Sequence, residues 1–334
     1  PTFTPKSSYV AYNWDKTYIG VPFLNIWTGK APMNPIYSGS DGINPIFDAA
    51  LHPQPDTISQ NAWKTILSIT NVRYVSLHRD SDWNYILQKE TTVNDAKIEE
   101  FVSKSPFLEK YRTFGEIELY EVSPEIFLPL IYPAATPILA NGSLSDVLSS
   151  DDIVISSNVL FLSDRMNEFQ WQFLEKCAET KNDNPPIITF QKLNPAKYKI
   201  EVENASDPFF LVFLESYHPG WKVYVDDRPF EFEEIIAEYD NTGVKESRHS
   251  MRFTPLDIRY LHEEQITDNL HFNANGYANA WYIDPKELGT TGNFTLTLYF
   301  KPQSYLYIGY LVSGITFILC IMYYIISRIK LRSN

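Results

Sequence analysis

Residues Pro208 to Asp227 read PFFLVFLESYHPGWKVYVDD. The six apolar side chains from Phe209 to Leu214 are too continuous for a loop and predict a strand buried on both faces. His218-Pro219-Gly220 is a turn by composition, because proline fixes one backbone torsion and glycine permits unusual ones. Beyond it Trp221, Val223 and Val225 alternate with Lys222, Tyr224 and Asp226, which predicts a second strand with one face inward and the other toward water. Strand, corner, strand is the signature of a sheet turning over a core, and His218 has no second His or Cys nearby with which to share a metal. We therefore read the stretch as scaffold rather than catalytic centre.

The same texture continues on both sides. IITFQK, KYKIEVEN, RPFEFE, NLHFNAN, ANAWYI and FTLTLYF are short runs separated by turn signals. Together with the two strands above they predict a jelly-roll-like β-sandwich over residues 186–302. Upstream the pattern changes. SQNAWKTILSIT reads as a helix that Ser59 caps, with Ala62, Trp63, Ile66 and Leu67 on one face. VRYVSL, NDAKIEEFVSK and FGEIELYEV follow as strand, helix and strand, so residues 1–125 are expected to form a small α/β region. Residues 126–185 are mixed, with a Pro-rich stretch, the strand NVLFLS, and one helix whose Met166, Phe169, Phe173, Leu174 and Cys177 share a face. The expected class is α+β.

Pro302 to Ser327 contains no charged residue, and Leu306 to Ile326 forms a 21-residue apolar run. As a helix that run is about 31 Å long, matching a bilayer core of about 30 Å. Tyr305, Tyr307 and Tyr310 sit at one end and Tyr323 and Tyr324 at the other, and Arg328, Lys330 and Arg332 follow. A transmembrane helix is expected over 303–327, with a basic tail, 328–334, in the cytoplasm and the body outside the cell. The alternative is a buried core helix. The chain opens PTFTPKSSYV, without Met or a signal peptide. It is thus expected to be the C-terminal piece of a longer polytopic protein, whose upstream membrane helices would be its partners. A tail-anchored cytosolic protein would leave the basic tail on the wrong side.

The net charge of −13 argues against a phosphate-backbone partner, so no nucleic acid is expected. Cys177 and Cys320 lie too far apart in context to predict a disulfide. His78-Arg79-Asp80 has the letters of a kinase catalytic loop, but Tyr85 stands where that loop needs Asn. His262 lacks the second His of a zincin helix, since Ile266 holds that position. There is no Walker-type loop and no G-x-S-x-G elbow, so neither a cofactor nor a catalytic residue is assigned. Glu231, Glu233, Glu234, Glu238 and Asp240 form an acidic run without the Asp spacing of a calcium loop, and no metal site is assigned there. Asn141, Asn204 and Asn293 open N-x-S/T sequons, which suit a body outside the cell.

ILSITNVRYVSLHRD, FGEIELYEVSPEIFLPLIYPA, PFFLVFLESYHPGWKVYVDD and NGYANAWYI, closed by a membrane helix, together resemble the C-terminal part of bacterial YfhO-like and archaeal GT-C-type membrane glycosyltransferases. The resemblance touches much of residues 60–326. It implies an extracytoplasmic accessory domain beside a membrane-helix bundle, in a protein that builds cell-envelope glycans or glycoproteins from lipid-linked sugars. It carries no catalytic residue to any position here, because that residue is expected on an early outer loop upstream. Aromatic and amide clusters are how proteins hold sugars, which makes Tyr217, His218, Asn275, Asn279 and Tyr282 the candidate glycan contacts. Membrane lipid and a glycan or lipid-linked sugar are the expected partners. The rival from another class is a membrane-anchored surface structural or adhesion protein, with the same sandwich and no enzyme.

Overall fold

The computed structural model describes residues 9–11, 17–19, 60–70, 72–79, 95–141, 158–179, 185–226, 245–246, 255–290 and 292–333. In chain order the elements begin with a short hairpin, β1 (Tyr9–Ala11) and β2 (Thr17–Ile19). Next come α1 (Gln60–Ile69), β3 (Tyr74–His78), α2 (Asp95–Lys104), β4 (Leu108–Phe114) and β5 (Ile117–Val122). The middle of the chain gives β6 (Ile131–Ala134), β7 (Thr136–Ala140), β8 (Asn158–Leu162) and α3 (Glu168–Glu179). Then follow β9 (Ile187–Asn194), β10 (Lys197–Ala205), β11 (Phe209–Phe213), β12 (Trp221–Asp226) and β13 (Lys245–Glu246). The last elements are β14 (His271–Ala274), β15 (Ala278–Ile283), β16 (Gly292–Phe300) and α4 (Pro302–Ser333).

The apolar run from Phe209 forms β11, and its position explains its composition. It lies inside the four-stranded sheet β14-β15-β11-β6, flanked by β15 and β6. Phe209, Leu211 and Phe213 point to one side, where they meet Tyr198, Ile200, Val223, Leu296 and Leu298 of the five-stranded sheet β12-β16-β10-β9-β13. Phe210 and Val212 point to the other, into a core shared with Phe161, Phe272, Leu174 and Trp63. Every residue of β11 is therefore buried, as a strand in a middle layer requires. The two facing sheets are the expected sandwich, and the α+β class holds.

The third layer is built by the N-terminal half. α1 buries Ala62, Trp63, Ile66 and Leu67, the face its 3.6-residue spacing predicts, and Trp63 packs on Phe101 of α2 and on Phe107. Tyr277, from the sandwich, donates its hydroxyl to the carbonyl of Ile69 at the end of α1. The N-terminal region and the sandwich thus share one core.

Four expectations need correction or completion. The sheet of the N-terminal region is antiparallel, in the order β3-β5-β4, because β4 inserts between helix and strand and pairs with β5 through the two-residue turn at Gly115 (φ +59°). The segment before the sandwich supplies β6 to the central sheet, and the parallel pair β7–β8 besides. Phe169 of α3 is exposed, while Leu174 is buried and Phe173 and Cys177 are partly buried against the core. The outer face of β12 is not open to water: Lys222 and Tyr224 are as buried as Trp221 and Val223. Ser59, the acidic run at 231–240 and the expected strand RPFEFE lie outside the described residues.

What covers β12 is an irregular segment. A 3-10 turn, Pro255–Leu261, and the residues up to Leu270 lie across the five-stranded sheet. Tyr260 packs between Tyr224 and Tyr299 with its ring tilted to both, the ring centres 4.7 and 4.6 Å away. Lys197 reaches Asp257 at 2.6 Å, with both side chains almost fully buried, and Lys222 bonds Asp268. Lys199 meets Asp226 at 2.7 Å, and Asp226 also accepts from Thr297.

β16 passes into α4 through one residue, Lys301. Its N–H donates to the carbonyl of Gly220, and Ser304 Oγ donates to the carbonyl of Asp257 at 2.8 Å while contacting Tyr299 Oη at 3.0 Å. From Pro302 to Arg328 the helix is long and apolar enough to cross a bilayer, and its apolar window is entirely unburied. Among the described residues nothing covers that window, as a buried core helix would require.

Candidate functional site

The corner between β11 and β12 is the place where sandwich, tight turn and helix start converge. Asn279, on β15, organises it. Its Oδ1 accepts the N–H of His218 at 3.2 Å and contacts His271 Nε2 at 3.0 Å. Its Nδ2 donates to the carbonyls of Glu215 (2.8 Å) and Ser216 (3.2 Å). One buried amide thus satisfies three backbone groups of a chain that leaves the ladder to turn, and meets the His271 ring of β14 besides, which is the condition for turning it there. The N–H of Tyr217 completes the bracing by donating to Tyr277.

Gly220 closes the corner by close approach. A Cβ there would lie 2.8 Å from Pro302 Cδ and Cγ and from His218 Nδ1. That ring nitrogen accepts the N–H of Gly220 at 2.9 Å, so the neutral ring carries its proton on Nε2. The His218 ring also meets Phe300 edge-on at 5.1 Å.

Beneath the corner His271 is 3% exposed, stacked on Trp281 at 4.4 Å with Tyr217 at 4.9 Å on the tilt. Burial pushes its pKa down to about 4, helped by the Lys222 charge and opposed by its bond to Asn279 and by Asp268. The ring is neutral near pH 7 and buried. It makes stability depend on pH. The folded pKa lies below the ordinary 6.5, so the unfolded chain binds the extra proton between those values. The stabilisation is complete above about pH 6.5 and is lost as pH falls toward 4, by of order 3 kcal/mol. Urea unfolding of the full chain from pH 7 to 4 measures it, and His271→Gln is expected to flatten that slope.

The five candidate glycan contacts separate. Asn279 and Asn275 are fully buried. Asn275, at φ +53°, accepts the N–H of Leu160 and donates to the Tyr132 hydroxyl, so it ties the 275–277 turn to β8 and β6. Tyr282 lies on the opposite face of the central sheet, edge-on to Phe173 and against Phe210. Asn275 and Asn279 are thus corrected from ligand contacts to structural side chains, whereas Tyr282 is partly buried against the core. Tyr217, 37% exposed, and His218 remain at the surface together with Glu215 and Ser216. They offer an aromatic face, an imidazole N–H and a carboxylate within four residues.

Among the described residues no group of three or more His, Cys, Asp or Glu side chains stands close enough to hold a metal. Of the sequons, Asn141 is exposed at the end of β7. Asn204 (φ +59°) sits in the bulge of β10, and its N–H donates to Asn293 Oδ1 at 3.1 Å, which puts these two exposed asparagines side by side.

No family model matches the chain, and no curated protein or solved structure matches it either.

The sequence reading missed His271 and the buried lysine–aspartate layer. Lys197 and Lys199 alternate with apolar residues in β10, the pattern of a water-facing row, yet both are interior, Lys197 against Asp257 of the covering segment and Lys199 against Asp226 of β12. The HFNANGYAN hairpin did carry a signal for Asn279, an amide at a position whose neighbours in β15 are apolar.

Proposed function

We propose that this chain is the extracytoplasmic accessory domain and last membrane helix of a membrane glycosyltransferase-like protein acting in cell-envelope glycan assembly. Its exposed corner at Tyr217 and His218 contacts the glycan. The observation that supports this reading is the corner's position against Pro302, at the start of a helix fit to span a bilayer. A sugar carried on a membrane lipid would meet the domain at that level. Tyrosine rings stack on sugar C–H faces, and Glu215 with the His218 Nε2–H suits hydroxyl groups. The basic tail after the helix supports a body outside the cell. The reading assigns no catalytic residue to this chain.

The test is binding of the full chain, in lipid nanodiscs, to envelope saccharides and polyprenyl-linked sugars. Tyr217→Ala is expected to weaken binding at least tenfold while leaving the melting temperature within about 2 °C, since its ring is partly outside the core. A folded chain that binds no such sugar would remove the proposal and leave the adhesion or structural reading, which needs no saccharide at this corner.

A further inference from the structure

We infer that the 3-10 turn Pro255–Leu261 is a second membrane contact, with Leu256 inserted at the outer boundary of the hydrocarbon and Arg259 beside it among the lipid headgroups. Leu256 is 83% exposed, more than any other large apolar side chain among the described residues, including those of α4. Its backbone neighbour Asp257 is bonded to Ser304, two residues before the apolar run begins at Leu306. Two residues of helix are about 3 Å. A headgroup layer is about 5–8 Å deep on each side of the hydrocarbon. The turn is thus held within that layer by its own hydrogen bond to the helix. The body reaches deeper still, because Tyr307, one residue inside the apolar run, is only 6% exposed.

The geometry of the turn supplies the rest. In a 3-10 helix residues three apart eclipse, so Leu256 and Arg259 share a face. Asp257, between them, turns inward to Lys197, and Tyr260 is buried. The exposed face therefore presents one apolar and one cationic side chain, the pairing that interfacial segments use against hydrocarbon and phosphate. Arg259 also lies over the Tyr260 ring and near Glu263, which hold it in place without burying it.

The inference rests on α4 being the membrane span, and the experiment separates the two. Leu256→Cys, in a chain whose natural cysteines are replaced by alanine, carries a fluorophore and is reconstituted into phospholipid vesicles. Tyr111→Cys, on the exposed strand β4, is the reference. The label at 256 is expected to be quenched by acyl-chain-brominated lipid and at least threefold less accessible to aqueous iodide than the label at 111. Equal iodide access at both sites overturns the inference. Shielding from iodide without quenching by bromine also overturns it, by assigning the leucine to a protein contact. Vesicle flotation tests the span itself: a chain that floats with its 256 label in water loses this inference alone, and one that fails to float loses the span as well.

Discussion

Asp257→Ala is expected to lower the unfolding free energy by about 3–5 kcal/mol, the cost of stranding one member of a buried ion pair. Lys197 is 8% exposed, and its ammonium loses its counter-charge at 2.6 Å. It keeps the face of Tyr260 at 4.9 Å, which is too weak to offset a desolvated cation. Urea denaturation of the reconstituted chain measures the change. The double variant Lys197→Met with Asp257→Leu is expected to recover most of the loss, because an apolar pair of similar volume removes both charges at once. A single variant that loses less than about 1 kcal/mol would mean that water already reaches the pair.

Trp221→Ala is the second large effect, again about 3–5 kcal/mol. The indole fills the space where the corner, the sandwich core and the last strand meet. Phe213 stands edge-on to it at 4.9 Å, and Phe300 and Tyr198 lie tilted against it at 5.1 and 6.1 Å. No single neighbour can collapse into the void, since each is fixed in a sheet. Thermal unfolding is expected to show the loss, whereas Tyr217→Ala next to the same corner leaves it nearly unchanged. A similar loss in both would contradict the division of this corner into a packed and an exposed half.

Local patterns were legible wherever one residue period governed burial. β11, α1 and the apolar helix follow from runs and spacings that a single environment explains. β4 escaped because its residues are almost all exposed and show no alternation, so only pairing with β5 makes it a strand. The outer face of β12 was misread for a different reason. Alternation reports that two faces differ in polarity, and says nothing of whether the polar face meets water or a layer of aspartates and tyrosines. The same limit applies to the site. Tyr217 and His218 were read as surface groups and are exposed, but Asn275 and Asn279 looked identical in composition to sugar-binding amides. Their burial is set by partners 115 and 64 residues away in the chain.

The one-residue joint between β16 and α4 has a mechanical consequence. Lys301 and Ser304 are bonded to the corner and to the covering segment, so there is no slack in which the helix and the sheet can move independently. The chain behaves as a crank. A nine-residue strand such as β16 is about 30 Å long, so a 10° tilt of the helix swings its far end by about 5 Å. A change in bilayer thickness that tilts the helix would then be read out as displacement of the sandwich without any contact of its own being broken.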